Sequence, residues 1–263
     1  RSRYHRNDPG VPRPAPLVHL GKWRWTAIAF CAAVVLVSLV MPMSVLLYWL
    51  VRGLNAGEPL ALLVRAAVNS LFVSLLAATI TVLASVPIAT LTVRYPGLIS
   101  GILERLAYIG FALPGIAIAL GLVFFGANFA LFIYQTIGIL ILAYAILFLP
   151  AALGAMRTSM LQVSPSMEYA ARSLGRTPFG VLVSVTFPLV RPGVLSGAAL
   201  VFLLTMKELP ATLILSPIGF QTLASSIWGA ASEAFFARAA APALLLILIS
   251  SVPLAFLTLK ESR

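Results

Sequence analysis

Six apolar runs, each close to the length of a membrane-crossing helix, dominate this chain: 26–50, 66–91, 106–125, 134–155, 193–215 and 240–259. About twenty residues in a helix rise about 30 Å, the thickness of bilayer hydrocarbon. In that medium the backbone N–H and C=O groups find no water, so each crossing must bond within itself as a helix or pair with neighbours in a closed barrel. These runs are continuously apolar. Barrel strands would alternate in segments of about ten residues, so helices are expected. The fold class is all-α: a polytopic membrane protein with six transmembrane helices and a short cytoplasmic helix between the fourth and fifth. With 61% hydrophobic and 10% charged residues, the composition has little else to build from. The first run is too long for a signal-peptide core and its flanks lack a cleavage site, so it counts as an anchor.

The positions of Lys and Arg give an orientation. Six crossings place the N-terminal stretch (Arg1, Arg3, Arg6, Arg13, Lys22, Arg24), Arg94 and Arg105, the group Arg157, Arg172, Arg176 and Arg191, and the C-terminal Lys260 and Arg263 on one side. Only Arg52, Arg65 and Arg238 fall opposite, and Lys207 lies within a run. Basic residues accumulate on the cytoplasmic side, so both termini are expected there. The formal charge of +11 then reports topology and contact with anionic lipid. Nucleic-acid binding would want basic residues interleaved with exposed aromatics in a soluble domain, so no nucleic-acid partner is expected. Residues 1–25 read as a cytoplasmic tail or linker, 26–259 as the six-span domain and 260–263 as a cytoplasmic tail.

Between the fourth and fifth runs, within residues 156–192, lies an organised loop. Ser164 is placed to cap a helix that begins at Pro165, and Gly175 sits where a left-handed residue would end it. Met167, Ala170, Ala171 and Leu174 share one face of that helix; Ser166, Glu168, Arg172 and Ser173 take the other. Thr177–Pro178 repeats the cap-plus-proline signal, and a second short helix through Leu182, Val183 and Val185 is expected to stop at Pro188.

Several chemistries lack their residues. The lone Cys31, within the first run, allows neither a disulfide framework nor a thiolate metal site. His5 and His19 both precede the first run, away from any membrane-embedded metal motif. No Gly-x-x-x-x-Gly-Lys-Ser/Thr occurs, so ATP and Mg would belong to a partner. Neither a nucleophile elbow nor a pair of carboxylates in one run is present to support an enzyme.

Ala170-Ala171, three residues, Gly175, nine residues and then Val185-Thr186-Phe187-Pro188 resemble the EAA loop of binding-protein-dependent ABC importer permeases. The family pattern has Glu where Tyr169 stands, with Glu168 one place earlier here, and favours Ile and Leu where Val185 and Phe187 stand. The resemblance implies that this loop is a coupling helix seated in a cytoplasmic ATPase dimer, with Glu168, Tyr169, Ala170, Ala171, Arg172, Gly175, Val185 and Pro188 at or near the contact. Met206-Lys207-Glu208-Leu209-Pro210-Ala211-Thr212, with Gly219 to Ala224 and Ile227-Trp228, is similar to the ferric-iron permeases of that family. Some of those fuse two halves in one polypeptide, and the Pro- and Arg-rich start of this chain resembles the linker before a C-terminal half. The resemblance further implies a bacterial inner-membrane location, a periplasmic binding protein and a second permease half or copy.

Lys207 and Glu208 are the most informative polar pair in the apolar region. Charge at mid-bilayer costs a few kcal/mol, so such residues face a cavity or a partner. Neighbours on a helix point about 100° apart, so the two do not neutralise each other directly. Pro210 lacks an N–H and frees the carbonyl of Met206, so a kink that exposes backbone oxygen to a passing ion is expected there. Lys207, Glu208 and Pro210 are therefore the expected translocation residues, with a structural ion pair as the competing reading. Seven acidic residues scattered over the chain make no tight site for ferric iron, so it reads as a conduit. Asn69 and Ser70 read as interhelical contacts. Residues 217–238, with Gln221, Trp228 and Glu233, read equally as a binding-protein surface or a re-entrant segment held by aromatics. The alternatives are a permease for thiamine, sulfate or a polyamine, and a secondary transporter.

Overall fold

The computed structural model describes residues 21–58 and 61–261. The stretch from Arg1 to Leu20, with His5, His19 and its prolines, lies outside the described residues, as do the Lys260 side chain and Arg263. Among the described residues the secondary structure is entirely helical, and the chain divides into two units, Arg1–Glu58 and Pro59–Arg263.

The first unit holds one apolar helix, α1 (Trp23–Asn55), with a π-helical turn at Leu36–Val40. Cation–aromatic contacts mark both its ends. Arg24 lies 5.1 Å from the centre of the Trp25 ring, and Arg52 lies 5.7 Å from both Tyr48 and Trp49. From Arg24 to Arg52 the helix rises about 42 Å, the thickness of a bilayer with its headgroups, where aromatic and basic residues collect.

The second unit contains α2 (Ala61–Arg94), α3 (Leu98–Ala112), α4 (Gly115–Phe129), α5 (Ile137–Gln162), α6 (Pro165–Ser173), α7 (Pro178–Lys207), α8 (Pro210–Leu215), α9 (Leu223–Ser232) and α10 (Phe236–Glu261). Its core forms where α5 packs between α2 and α7. Ile139, Leu140, Tyr144, Leu153, Met156 and Met160 of α5 are buried there. Facing them, α2 offers small residues, Ala66, Ala77 and Ala89, and the hydroxyls of Ser70, Ser74 and Thr81. Lipid tails are as apolar as Leu, so helices in a bilayer associate through close approach of small residues rather than by escaping water.

Two apolar runs depart from the straight crossings expected. The run 106–125 is two helices, α3 and α4, bent by 108° at Leu113–Pro114. The cause is local: Pro114 keeps Leu113 extended (φ −99°, ψ 135°), because a proline ring crowds a preceding helical residue. The run 193–215 breaks as well. Glu208 is extended (φ −72°, ψ 120°) and a new helix starts at Pro210, so the chain parts completely instead of kinking at Met206.

The stop expected at Pro188 does not occur. α7 runs on from Pro178 through a π turn at Leu182–Thr186, and Pro188 is taken up at the head of the following α-helical stretch. A π turn widens the coil immediately before the proline, which relieves the clash of its ring with the preceding turn. With the bent pair counted as one crossing, the described residues give up to six, and the all-α polytopic architecture stands.

Candidate functional site

Two features organise the chain chemically, and the first is α6. Its start and end form as the sequence dictates. Ser164 Oγ accepts from the Ser166 N–H, and Gly175 has φ +83°. The Gly175 N–H donates to the Arg172 carbonyl and the Arg176 N–H to that of Ala171, the pair of bonds that closes a helix end around a left-handed residue.

The faces of α6 are turned differently from the expected division. Met167 (51% exposed), Tyr169 (65%) and Leu174 (86%) point outward with Ala170 and Arg172, and Phe179 at the start of α7 joins them at 75%. Of the predicted apolar face only Ala171 is buried. Glu168, assigned to the wet side, turns inward. Its Oε1 accepts from Arg94 Nε at 3.0 Å and from Thr186 Oγ1 at 3.0 Å, and lies 2.9 Å from Arg94 Nη2. Arg94 Nη2 also donates to the Val163 carbonyl at 3.1 Å. One carboxylate thus ties α6 to the end of α2 and the π turn of α7, and through Arg94 to the residue that follows α5.

Hydrophobicity places α6 with its greasy side inward; a buried guanidinium left without a counter-ion costs more than that exposure gains. Arg172, fully exposed, donates to the Tyr95 hydroxyl at 3.4 Å, which pushes its already high pKa further up and keeps it cationic. Val185 and Pro188 are half-buried along α7.

The second feature lies where the two broken helices meet, since α8 packs on α4. Glu208 is half-buried, with Lys207 and Pro210 exposed on either side. Among the described residues Lys207 forms no ion pair with Glu208 or any other acid. Glu208 Oε1 accepts from the Ala211 N–H at 3.1 Å, in the first turn of α8. Its carbonyl, released by the break, accepts from Thr212 Oγ1 at 2.5 Å. The Thr212 proton is thereby used, so the Tyr144 hydroxyl, 2.6 Å away, donates to Thr212.

Gly115 opens α4 against this carboxylate. A Cβ there would sit 2.9 Å from Glu208 Oε1 and 3.8 Å from Leu147 Cδ1. Leu147 lies ten residues along α5 from Arg157, whose Nη1 pairs with Glu104 at 2.8 Å. That is about 15 Å of helix, half the hydrocarbon thickness, between the level of Leu147 and this charged layer. Gly115 and Tyr144 were not singled out from the sequence, and Thr212 entered only as the end of the Met206–Thr212 match. The signal available was Pro114, which breaks a helix and puts a glycine at the head of the next one.

At the opposite end from Arg94, the Asn69 amide donates to the Gln221 carbonyl at 2.9 Å and Ser70 Oγ accepts from the Leu223 N–H at 2.7 Å. The Ser70 contact is interhelical, as expected, and that of Asn69 reaches the segment just before α9. They seat α9, which buries Leu223 and Ala224 and leaves Trp228 about half exposed. Among the described residues no group of three His, Cys, Asp or Glu side chains is placed to hold a metal ion.

A bundle of long apolar helices, two of its crossings broken, with a short amphipathic helix clamped at one end, defines an all-α polytopic membrane protein with the build of a transport component. Residues 82–263 match the family model described as binding-protein-dependent transport system inner membrane component, and the chain belongs to that family. It is 37% identical, over 95% of its length, to the Fe(3+)-transport system permease protein FbpB 2 of Haemophilus influenzae, covering 50% of that protein. It is 30% identical to the putative 2-aminoethylphosphonate transport system permease protein PhnV of Salmonella typhimurium over 56% of each chain. Over 28% of its length it is 34% identical to the molybdenum transport system permease protein ModB of Escherichia coli, covering 32% of that protein. The chain spans about half the length of the first two of these relatives.

Proposed function

We propose that this chain is a permease subunit of an ATP-driven importer, and that its cargo is ferric iron delivered by a periplasmic binding protein. The observation that carries the reading is α6: a capped helix outside the apolar crossings that exposes Met167, Tyr169 and Leu174 while Glu168 anchors it to the ends of the spans. An exposed apolar patch rimmed by polar residues fits a protein partner, and we take that partner to be a cytoplasmic ATPase dimer that binds ATP and Mg, as the resemblance of this loop implies. Ala170, Arg172, Gly175, Val185 and Pro188 belong to or shape this contact. Closure of the dimer pushes on α6, and the Arg94–Glu168–Thr186 contacts carry that push into α2 and α7.

The α6 end of the bundle, richer in Arg and Lys, faces the cytoplasm of a bacterial inner membrane, and the α9 end faces the binding protein. A second half or copy completes the path along Lys207, Glu208 and Pro210. Ferric iron is supported by the 37% identity to a ferric permease over nearly the whole chain. The phosphonate and molybdenum permeases among the relatives make an oxyanion the competing cargo.

The test is uptake into proteoliposomes holding the full permease with its ATPase. Labelled ferric ion loaded on the binding protein is expected to accumulate only with ATP. ATP-driven accumulation of a different cargo, with none of iron, overturns the cargo assignment; no ATP-driven uptake overturns the importer.

A further inference from the structure

The Glu208 carboxylate stands between two helix breaks, one at Leu113–Pro114 and one at Glu208–Leu209. It occupies the space in front of Gly115, at the head of α4, whose cap residue Pro114 contributes no side-chain bond. A helix head carries partial positive charge and favours an anion. Here the protein's own carboxylate takes that place. Its Oε1 is engaged by the Ala211 N–H, and its second oxygen has no hydrogen-bond partner among the described residues. Three polar contacts fix the backbone and side chain around it: Ala211 to the carboxylate, Thr212 to the Glu208 carbonyl, and Tyr144 to Thr212.

We propose that Glu208 is the charge filter of the translocation path, and that Gly115, Thr212 and Tyr144 are the residues that position it. The inference rests on the importer reading above and deepens it. A metal cation on that path meets the free oxygen of a carboxylate whose other oxygen is already held. A free oxyanion meets like charge there. A hard cation suits a carboxylate oxygen, and a single such ligand gives passage rather than capture.

The test combines transport with a double-mutant cycle in the reconstituted importer, complete with ATPase and binding protein. Glu208→Gln keeps the shape and removes the charge. It is expected to lower the turnover of ferric uptake at least tenfold while ATP hydrolysis stimulated by the binding protein stays within twofold of wild type. Glu208→Asp is expected to recover part of the uptake. Gly115→Ala places a methyl on Oε1 and is expected to reduce uptake in the wild-type background but to add nothing in Glu208→Ala.

Wild-type uptake by Glu208→Gln overturns the filter. Losses from Gly115→Ala and Glu208→Ala that multiply overturn the positioning role of Gly115. The same cycle read as thermal unfolding of the purified protein reports the Gly115–Glu208 contact independently of cargo. Coupled melting shifts together with a wild type that moves no iron therefore locate the failure in the proposed cargo, and uncoupled shifts locate it in this site.

Discussion

Glu168 and Arg94, seventy-four residues apart in sequence, meet at 2.9 Å where α6 lies against the end of α2, with side chains only 13% and 10% exposed. Removing one partner strands the other charge in a poorly solvated place. Glu168→Ala should therefore destabilise the protein by about 3 kcal/mol, read as a lower unfolding temperature in detergent, and should abolish ATP-driven uptake. The double variant Arg94→Met with Glu168→Leu should recover most of the stability, since an apolar pair of similar volume replaces a buried ion pair at little cost. Uptake should stay low in that double variant. Recovery of uptake along with stability would show the pair to be structural only.

Gly175 ends α6 at φ +83° with open space around it, so the strain of a side chain there is conformational and not steric crowding. Gly175→Ala should cost about 1 kcal/mol, because a Cβ is penalised in the left-handed region. Gly175→Arg adds a cation beside the exposed face and should uncouple ATP hydrolysis from uptake. Measuring both activities in one reconstitution checks this, and unchanged coupling in the arginine variant would remove α6 from the mechanism.

Tyr144 is wholly buried and spends its hydroxyl on Thr212. Tyr144→Phe keeps the ring and frees Thr212 Oγ1 of that donor, at a cost of about 1 kcal/mol. Uptake should slow while association with the ATPase, measured by pull-down, stays at the wild-type level. Loss of association would mean that the break at Glu208 and the surface at α6 are not separable.

Ser70 receives the first N–H of α9, and Ser70→Ala leaves that buried donor without its acceptor. The expected loss is about 1–2 kcal/mol of stability, with faster hydrogen exchange confined to α9. Exchange spreading equally through α6 would contradict the separation of the two ends.

The crossings were legible because membrane burial writes itself as uninterrupted apolar length, and the caps of α6 because Ser164-Pro165 and Gly175 act on their own neighbours. Two kinds of feature were not legible. The inward turn of Glu168 depends on Arg94, and nothing local to α6 announces a partner that far away in sequence. The breaks at Leu113–Pro114 and Glu208–Leu209 were partly written in Pro114 and Pro210. A proline inside an apolar run also permits a continuous helix, as Pro87, Pro150 and Pro192 do here, so the residue type alone does not separate a break from a tolerated kink. The meeting of Gly115 with Glu208 needs the packing of α8 on α4, which is a tertiary fact.

The central claim is that α6 presents its outer face to an ATPase, and site-directed photocross-linking tests it most directly. A photoreactive residue would be placed in turn at Leu174, Tyr169 and the buried Ala171 of the full protein in native membranes. Cross-links from positions 174 and 169 to a nucleotide-hydrolysing subunit, with none from position 171, are the predicted result. Folded protein that yields no such subunit from any exposed position of α6 would contradict the account.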